Sequence, residues 1–209
     1  LFREKNLGCK LAVSSAIDWF FDNVEQGIIL EDDCLPHPSF FPYCAELLAR
    51  YKDNEKILMI SGDNFQFGRK RGNASYYFSQ YCHIWGWATW KRAWQKYDIE
   101  MKTFPEFVKN NHIAEIFPTK REQDYWLPRF QMVYENKLDT WDYQWVYTIV
   151  TNNGLSIAPN VNLVSNIGIG NNATHPMDLK MGNLRVFDIG QVKHPSDIAI
   201  NKDADWYSF

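Results

Sequence analysis

Cysteine is scarce in this chain and scattered where it occurs: four residues, at positions 9, 34, 44 and 82 of 209. No two stand in Cys-x-x-Cys spacing, so a structural zinc site is not expected, and dispersed thiols in a chain this long fit a reducing compartment better than a disulfide framework. Long apolar runs are missing too. None approaches the roughly 20 residues needed to cross a bilayer, so no transmembrane segment is expected, and no secretory leader is visible. Nor is positive charge in excess. With 22 basic against 25 acidic residues, a net charge of −3 and a pI near 6.0, the chain lacks the basic footprint of a nucleic-acid binder. The one basic cluster, GRKRG at 68–72, reads as a solvated loop that can touch a phosphate or a membrane surface. No internal repeat or low-complexity tract is present. The expected setting is the cytoplasm, extending at most to the periphery of the inner membrane. The first residue is Leu1 rather than Met, which leads us to expect a piece of a longer protein.

What the chain does have is aromatic residues, 16% of the total with nine Trp. Such a composition builds either a core rich in large rings or a groove for a flat ligand such as a sugar, and composition alone leaves both open. The 45% hydrophobic and 22% charged content is that of an ordinary globular protein.

Hydrophobic periodicity organises the first half. Val13, Ile17, Phe20, Phe21 and Val24 share one helical face within residues 9–26, and Gly27 fits the helix end. The apolar run IIL at 28–30 reads as a strand buried on both faces. Pro36 and Pro38 turn the chain, and Ser39 can cap a helix beginning SFFPYCAELL. A second buried strand, ILMIS at 57–61, ends in Gly62-Asp63-Asn64. Helix, strand, acidic loop, helix, strand, acidic loop is the rhythm of an α/β sheet. Further on, SYYFS at 75–79 reads as extended and Ala88 onward as helix. Helices are expected over 104–117 and 121–136, the latter kinked or split at Pro128. A strong helix at 140–153 closes on Gly154 before a short strand at 155–158, and the last thirty or so residues are weakly patterned.

The chemistry concentrates in GIILEDDCLPHPSFF, residues 27–41, where a dry strand runs straight into Glu31, Asp32 and Asp33. Ligands of open α/β sheets bind outside the carboxyl ends of the strands. Adjacent carboxylates there raise each other's pKa unless a cation is present, and hard divalent metals take oxygen ligands. The plain alternative is a solvated loop whose acids face water; the position directly after a strand favours metal.

This stretch resembles the acidic metal motif of GT-A fold nucleotide-sugar glycosyltransferases, above all the N-acetylglucosaminyltransferase I type, in which a hydrophobic strand leads to Glu-Asp-Asp and a segment ending in Asp-Phe-Phe. MISGDNFQFG (59–68), HIWGWATWKRAW (83–94) and TWDYQW (140–145) are similar to further segments of that family in the same order. IWGWATW and NIGIGNNATH also resemble bacterial nucleotide-diphospho-sugar transferases. The likeness spans most of residues 7–176.

The resemblance implies a Rossmann-like GT-A sheet with flanking helices over residues 1–176, without the N-terminal half that holds the nucleotide base, and a C-terminal extension over 177–209. It implies metal-dependent, inverting transfer of a sugar from a nucleotide diphospho-sugar, UDP-linked, to a saccharide acceptor of bacterial surface-polysaccharide type. Asp33 would ligate Mn2+ or Mg2+, Asp32 would face the ribose or metal shell, Glu31 the donor sugar, and Asp142 would be the general base. His175, after Gly168 and Gly170 in a Gly/Asn-rich loop, would add a metal ligand. The missing half would leave a sheet edge bare, which favours pairing with a second copy.

Each assignment has a structural rival. Asp142 in a first helical turn is favoured by the helix dipole without catalysis. Trp141 and Trp145, four apart, share a face and fit a core. Trp85 and Trp87 flank Gly86, and a Gly between two Trp suggests close approach of a ligand or another backbone; we read them as a pocket wall in the donor site. Asp63 and Asn64 can hold a hydroxyl of donor or acceptor, or simply form a turn. Lys120 and Arg121 can meet phosphate but fit a solvated helix face. From another functional class, a truncated or degenerate glycan-binding or assembly module on the same scaffold remains the alternative, and a metal phosphohydrolase would need more His and Asp ligands than these motifs supply.

Overall fold

The computed structural model describes residues 2–168 and 183–209. In chain order these form α1 (Gly8–Asn23), β1 (Gln26–Ile29), β2 (Cys34–Pro36), α2 (Phe40–Arg50), β3 (Ile57–Ser61), β4 (Tyr76–Ser79), β5 (Trp87–Trp90), α3 (Lys91–Trp94), α4 (Phe104–Lys109), α5 (His112–Ile116), α6 (Lys120–Tyr134), α7 (Asp142–Thr151), β6 (Leu155–Pro159), β7 (Val164–Asn166) and α8 (Lys202–Ser208). The mixed α/β class expected from the sequence is what is found. The chain divides into two compact units, Leu1–Glu25 with Lys91–Gly154, and Gln26–Trp90 with Leu155–Phe209. The chain therefore crosses between the units three times, after residues 25, 90 and 154, instead of dividing near residue 177, and residues 183–209 belong to the second unit.

The first unit is helical and its centre is aromatic. Trp141 and Trp145 are fully buried. The Trp94 ring stacks on Tyr97 at 4.3 Å and lies 5.2 Å from Trp145. Indole and phenol polar ends find partners, as buried ones must: Trp94 Nε1 donates to Asp18 at 2.7 Å and the Tyr97 hydroxyl to the Trp141 carbonyl at 3.1 Å. The i, i+4 spacing of Trp141 and Trp145 is core spacing here. The expected 104–117 helix is two short ones, separated where Asn111 takes a left-handed φ of 55°, a conformation Asn tolerates better than most residues. Pro128 lies inside an unsplit α6. That helix starts on a capping box, with Thr119 and Glu122 each accepting from the other's backbone amide.

The second unit is a five-stranded sheet in the order β1-β5-β3-β6-β4, with a two-stranded β2-β7 ribbon beside it. β1 and β3 both run antiparallel to β5, and β6 is parallel to β3. The carboxyl ends of β1, β3 and β6 therefore lie along one margin of the sheet. Helix α2 covers one face through Phe40, Tyr43, Cys44 and Leu47, all fully buried with Ile57, Ile60 and Ile157 of the strands.

Two expectations change here. Residues 88–90 are strand, not helix. β5 is paired on both sides, by β1 and β3, and its β-branched and aromatic residues Trp87, Thr89 and Trp90 suit a sheet. The strand after α1 is an edge strand: β1 has β5 as its one neighbour among the described residues, its residues are half-buried or exposed, and Leu30 is 38% exposed. The opposite edge is covered. The segment after residue 190 runs along β4, with Asn201 N–H donating to the Phe78 carbonyl at 2.8 Å and Asp205 accepting from Ser79 Oγ at 2.5 Å and from Gln80 N–H at 3.1 Å. Covering an edge in this way blocks unwanted strand pairing.

Candidate functional site

The carboxyl margin of the second unit's sheet gathers most of the residues singled out from the sequence. Glu31, Asp32 and Asp33 follow β1, Asp63 and Asn64 follow β3, and Trp85 and Gly86 lead into β5, whose first residue, Trp87, pairs with both Ile29 and Ser61. Asn160 and Asn162, not singled out from the sequence, follow β6 and complete the row. Their signal was present, two Asn directly after a strand, but the parallel pairing of β6 with β3 that brings them here is a long-range fact.

The acidic triplet does not stack its charges. Residues 32 and 33 form a turn; Asp32 is exposed, while Glu31 and Asp33 are half-buried. The turn is fixed from both sides by backbone bonds, Cys34 N–H to the Glu31 carbonyl at 3.1 Å and Ile167 N–H to the Asp33 carbonyl at 2.9 Å. Because β2 and β7 are antiparallel, with Cys34 opposite Asn166, the strand after β7 runs back beside Asp33. A Cβ on Gly168 would stand 2.3 Å from Asp33 Oδ2, closer than any side chain tolerates, so Gly168 is what gives that carboxylate its room. Burial, with the charges of Asp33, Glu31 and Asp63 adding to it, pushes the Cys34 thiol up to about 12. Cys34 is thus a protonated thiol at neutral pH and not a ready nucleophile.

Asp63 is the exception in this margin. It is 1% exposed and neither carboxylate oxygen has a hydrogen-bond partner. Burial drives its pKa well above the ordinary carboxylate range, while the nearby backbone amides of Asp63 itself and Trp85 pull weakly the other way. A buried carboxylate without a partner costs stability, and groups kept at such a cost concentrate at functional sites. Its ionised form would add to the negative charge around Cys34, the residue following Asp33, and around Tyr77.

Its neighbour Asn64 behaves differently. The Asn64 side chain donates to the Pro159 carbonyl at 2.5 Å and accepts from Gln66 N–H at 2.8 Å, and its own N–H goes to Asn162 Oδ1 at 2.9 Å. Every polar group of Asn64 in these bonds is committed to holding the loop, which is the turn role. The Trp-Gly-Trp segment is closed as well. The close approach at Gly86 is made by the protein: its carbonyl accepts from Gly62 N–H at 2.8 Å, and a Cβ at 86 would lie 2.8 Å from Val164 and 3.0 Å from Leu30. Trp85 packs edge-on against Phe65 at 5.1 Å and Trp87 is fully buried in the sheet. The two indoles are thus core, not an open wall, because the backbone crossing at Gly86 needs cover on both sides.

Asp142 lies in the other unit, half-buried in the first turn of α7, where its carboxylate accepts from the Thr140 hydroxyl and from Tyr143 N–H at 2.9 Å. This is a capping arrangement that leaves oxygen lone pairs available. Lys120 pairs with Asp124 at 2.7 Å on an exposed helix face. His175 and Gly170 lie outside the described residues.

Among the described residues no three His, Cys, Asp or Glu side chains converge into a ready-made metal cage. Mg2+-type sites commonly need only one or two carboxylates, the remaining ligands being water and substrate phosphate, and Asp33 with its room beside Gly168 fits that lesser demand. No helix among the described residues is long and apolar enough to cross a membrane. No protein-family model matches the sequence, nor does any curated protein.

Proposed function

We propose that the second unit carries the donor site of a metal-dependent glycosyltransferase of the GT-A type, which moves a sugar from a UDP-linked nucleotide diphospho-sugar to a saccharide acceptor with inversion. The observation that supports it most is the pairing of an acidic turn after β1 with a buried, unpartnered Asp63 carboxylate after β3, at the margin where open α/β sheets bind ligands. Asp33 holds the divalent cation, Asp32 faces the ribose and Glu31 the donor sugar. When bound, the cation neutralises the diphosphate and stabilises charge on the departing nucleotide. Asp63 orients a donor hydroxyl from its dry position. Asp142, which belongs to the helical unit, is given no step at this site.

The test is calorimetry of the full chain with UDP, with and without Mn2+. The expected result is binding that requires the metal and is lost in Asp33→Ala. A chain that ignores UDP in both conditions, or binds it equally without metal, rules the proposal out and leaves the non-catalytic module.

A further inference from the structure

We propose that the GRKRG loop, together with the C-terminal helix α8, forms a contact surface for an anionic lipid bilayer. The inference does not rest on the reading of the acidic turn. Loop and helix are tied into one piece. Gln66 Nε2 donates to the Ala204 carbonyl at 3.1 Å and to Ser208 Oγ at 2.6 Å, and Gln66 Oε1 accepts from Arg71 Nε at 2.6 Å. Arg69 N–H closes a turn on the Gln66 carbonyl at 3.0 Å, and the Arg69 guanidinium lies over the Tyr207 ring at 4.1 Å. Asn160 holds the far side of the loop through the Arg71 backbone, accepting from its N–H at 2.8 Å and donating to its carbonyl at 3.0 Å.

What this piece turns outward is both apolar and basic. Phe67 is 55% exposed and Trp206 76% exposed. Phe67 holds a left-handed φ of 49°, a conformation that bulky side chains rarely adopt. A large ring kept in water on such a backbone serves no packing purpose, and strain retained in this way points to function. Trp206 stands about 100° around the helix from Tyr207, so it borders the ring that carries Arg69. Arg69 and Lys70 are exposed and form no ion pair among the described residues. Gly68 and Gly72, with φ of 87° and 74° and open space where a Cβ would be, let the basic run project from the surface. Of the acids on α8, Asp205 is turned inward onto Ser79 and Gln80, and Asp203 is offset by the exposed Lys202 beside it. Exposed rings next to unpaired cations suit the headgroup layer of an anionic membrane, where the rings enter the interface and the cations meet phosphate. A soluble polyanion would engage the cations and leave Phe67 and Trp206 in water; a bilayer takes up both.

The experiment is co-sedimentation of the full chain with vesicles of mixed phosphatidylglycerol and phosphatidylcholine, and with vesicles of phosphatidylcholine alone, in EDTA and without nucleotide. Binding is expected on the anionic vesicles, weakening as salt screens it, and is expected to be absent from the neutral ones. Arg69→Gln and Lys70→Gln should each weaken it about fivefold. Phe67→Gly and Trp206→Ser should each weaken it about tenfold. Glycine takes the left-handed φ without strain and Trp206 is exposed, so both ring variants should unfold in urea no earlier than the parent. No binding, or equal binding to the neutral vesicles, overturns the proposal. So does a loss confined to the two charge variants, which assigns a polyanion contact, or to the two ring variants, which assigns an apolar one. Since metal and nucleotide are absent throughout, either outcome leaves the reading of Asp33 where it stands.

Discussion

The two units of this chain treat buried polarity in different ways. In the helical unit the large rings interlock and the polar ends of Trp94 and Tyr97 are matched to specific acceptors. In the sheet unit the Asp63 carboxylate is buried with neither oxygen in a hydrogen bond, a larger unmet demand than the single amide oxygen left over at Gln144 in the helical unit. The first arrangement is what a sequence under pressure for stability produces. The second gives up stability at one point, and that point lies at the sheet margin where open α/β sheets bind ligands.

The contrast breaks first at Trp145. Fully buried in the ring cluster, it should cost about 3–5 kcal/mol when changed to Ala, measured by urea unfolding. A loss under 1 kcal/mol would show that the cluster is not the helical unit's core. Asp63 sharpens the contrast from the other side. Its raised pKa means that the folded state keeps a proton which the unfolded state has already shed. Its contribution to stability is therefore complete below the ordinary carboxylate range, and it declines as pH rises above about 4 towards the raised value. Asp63→Asn cannot ionise, so it should flatten that decline and gain about 1–3 kcal/mol at neutral pH, while Mn2+-dependent UDP binding falls. A variant less stable than the parent at pH 7 would mean that Asp63 is structurally paired. The smallest effect is expected at the α6 cap. Thr119→Ala should cost about 1 kcal/mol and leave the nucleotide titration unchanged; altered binding would show that the cap serves more than its helix.

Much of the fold was legible in advance where its elements are locally consistent. The helix before β1, the helix from residue 40, ILMIS and the 155–158 strand carry clear period and turn signals. The errors share one cause. Residues 88–90 are intrinsically ambiguous, and only pairing with β1 and β3 makes them strand. β2 and β7, three residues each, have no period to detect and exist through one another. Residues 191–201 looked unpatterned because they follow the β4 edge, held at Ser75 and Phe78, instead of building a face of their own. For the site, Asp32, Asp33 and Asp63 could be chosen from sequence because acids after strands are visible there. What could not be seen was which polar residue would be consumed by the loop. Asn64 is, and Asp63 is not, and only the positions of Asn162 and Pro159 decide between them.

Gly168 makes the acidic turn sensitive to shape independently of charge. A methyl group there would sit 2.3 Å from the Asp33 carboxylate, so replacing that hydrogen with a carbon would push the carboxylate aside with every ionisable group still in place. Any side chain at position 168 would therefore move the Asp33 carboxylate from its present place, and the acidic turn would change shape before it changed charge.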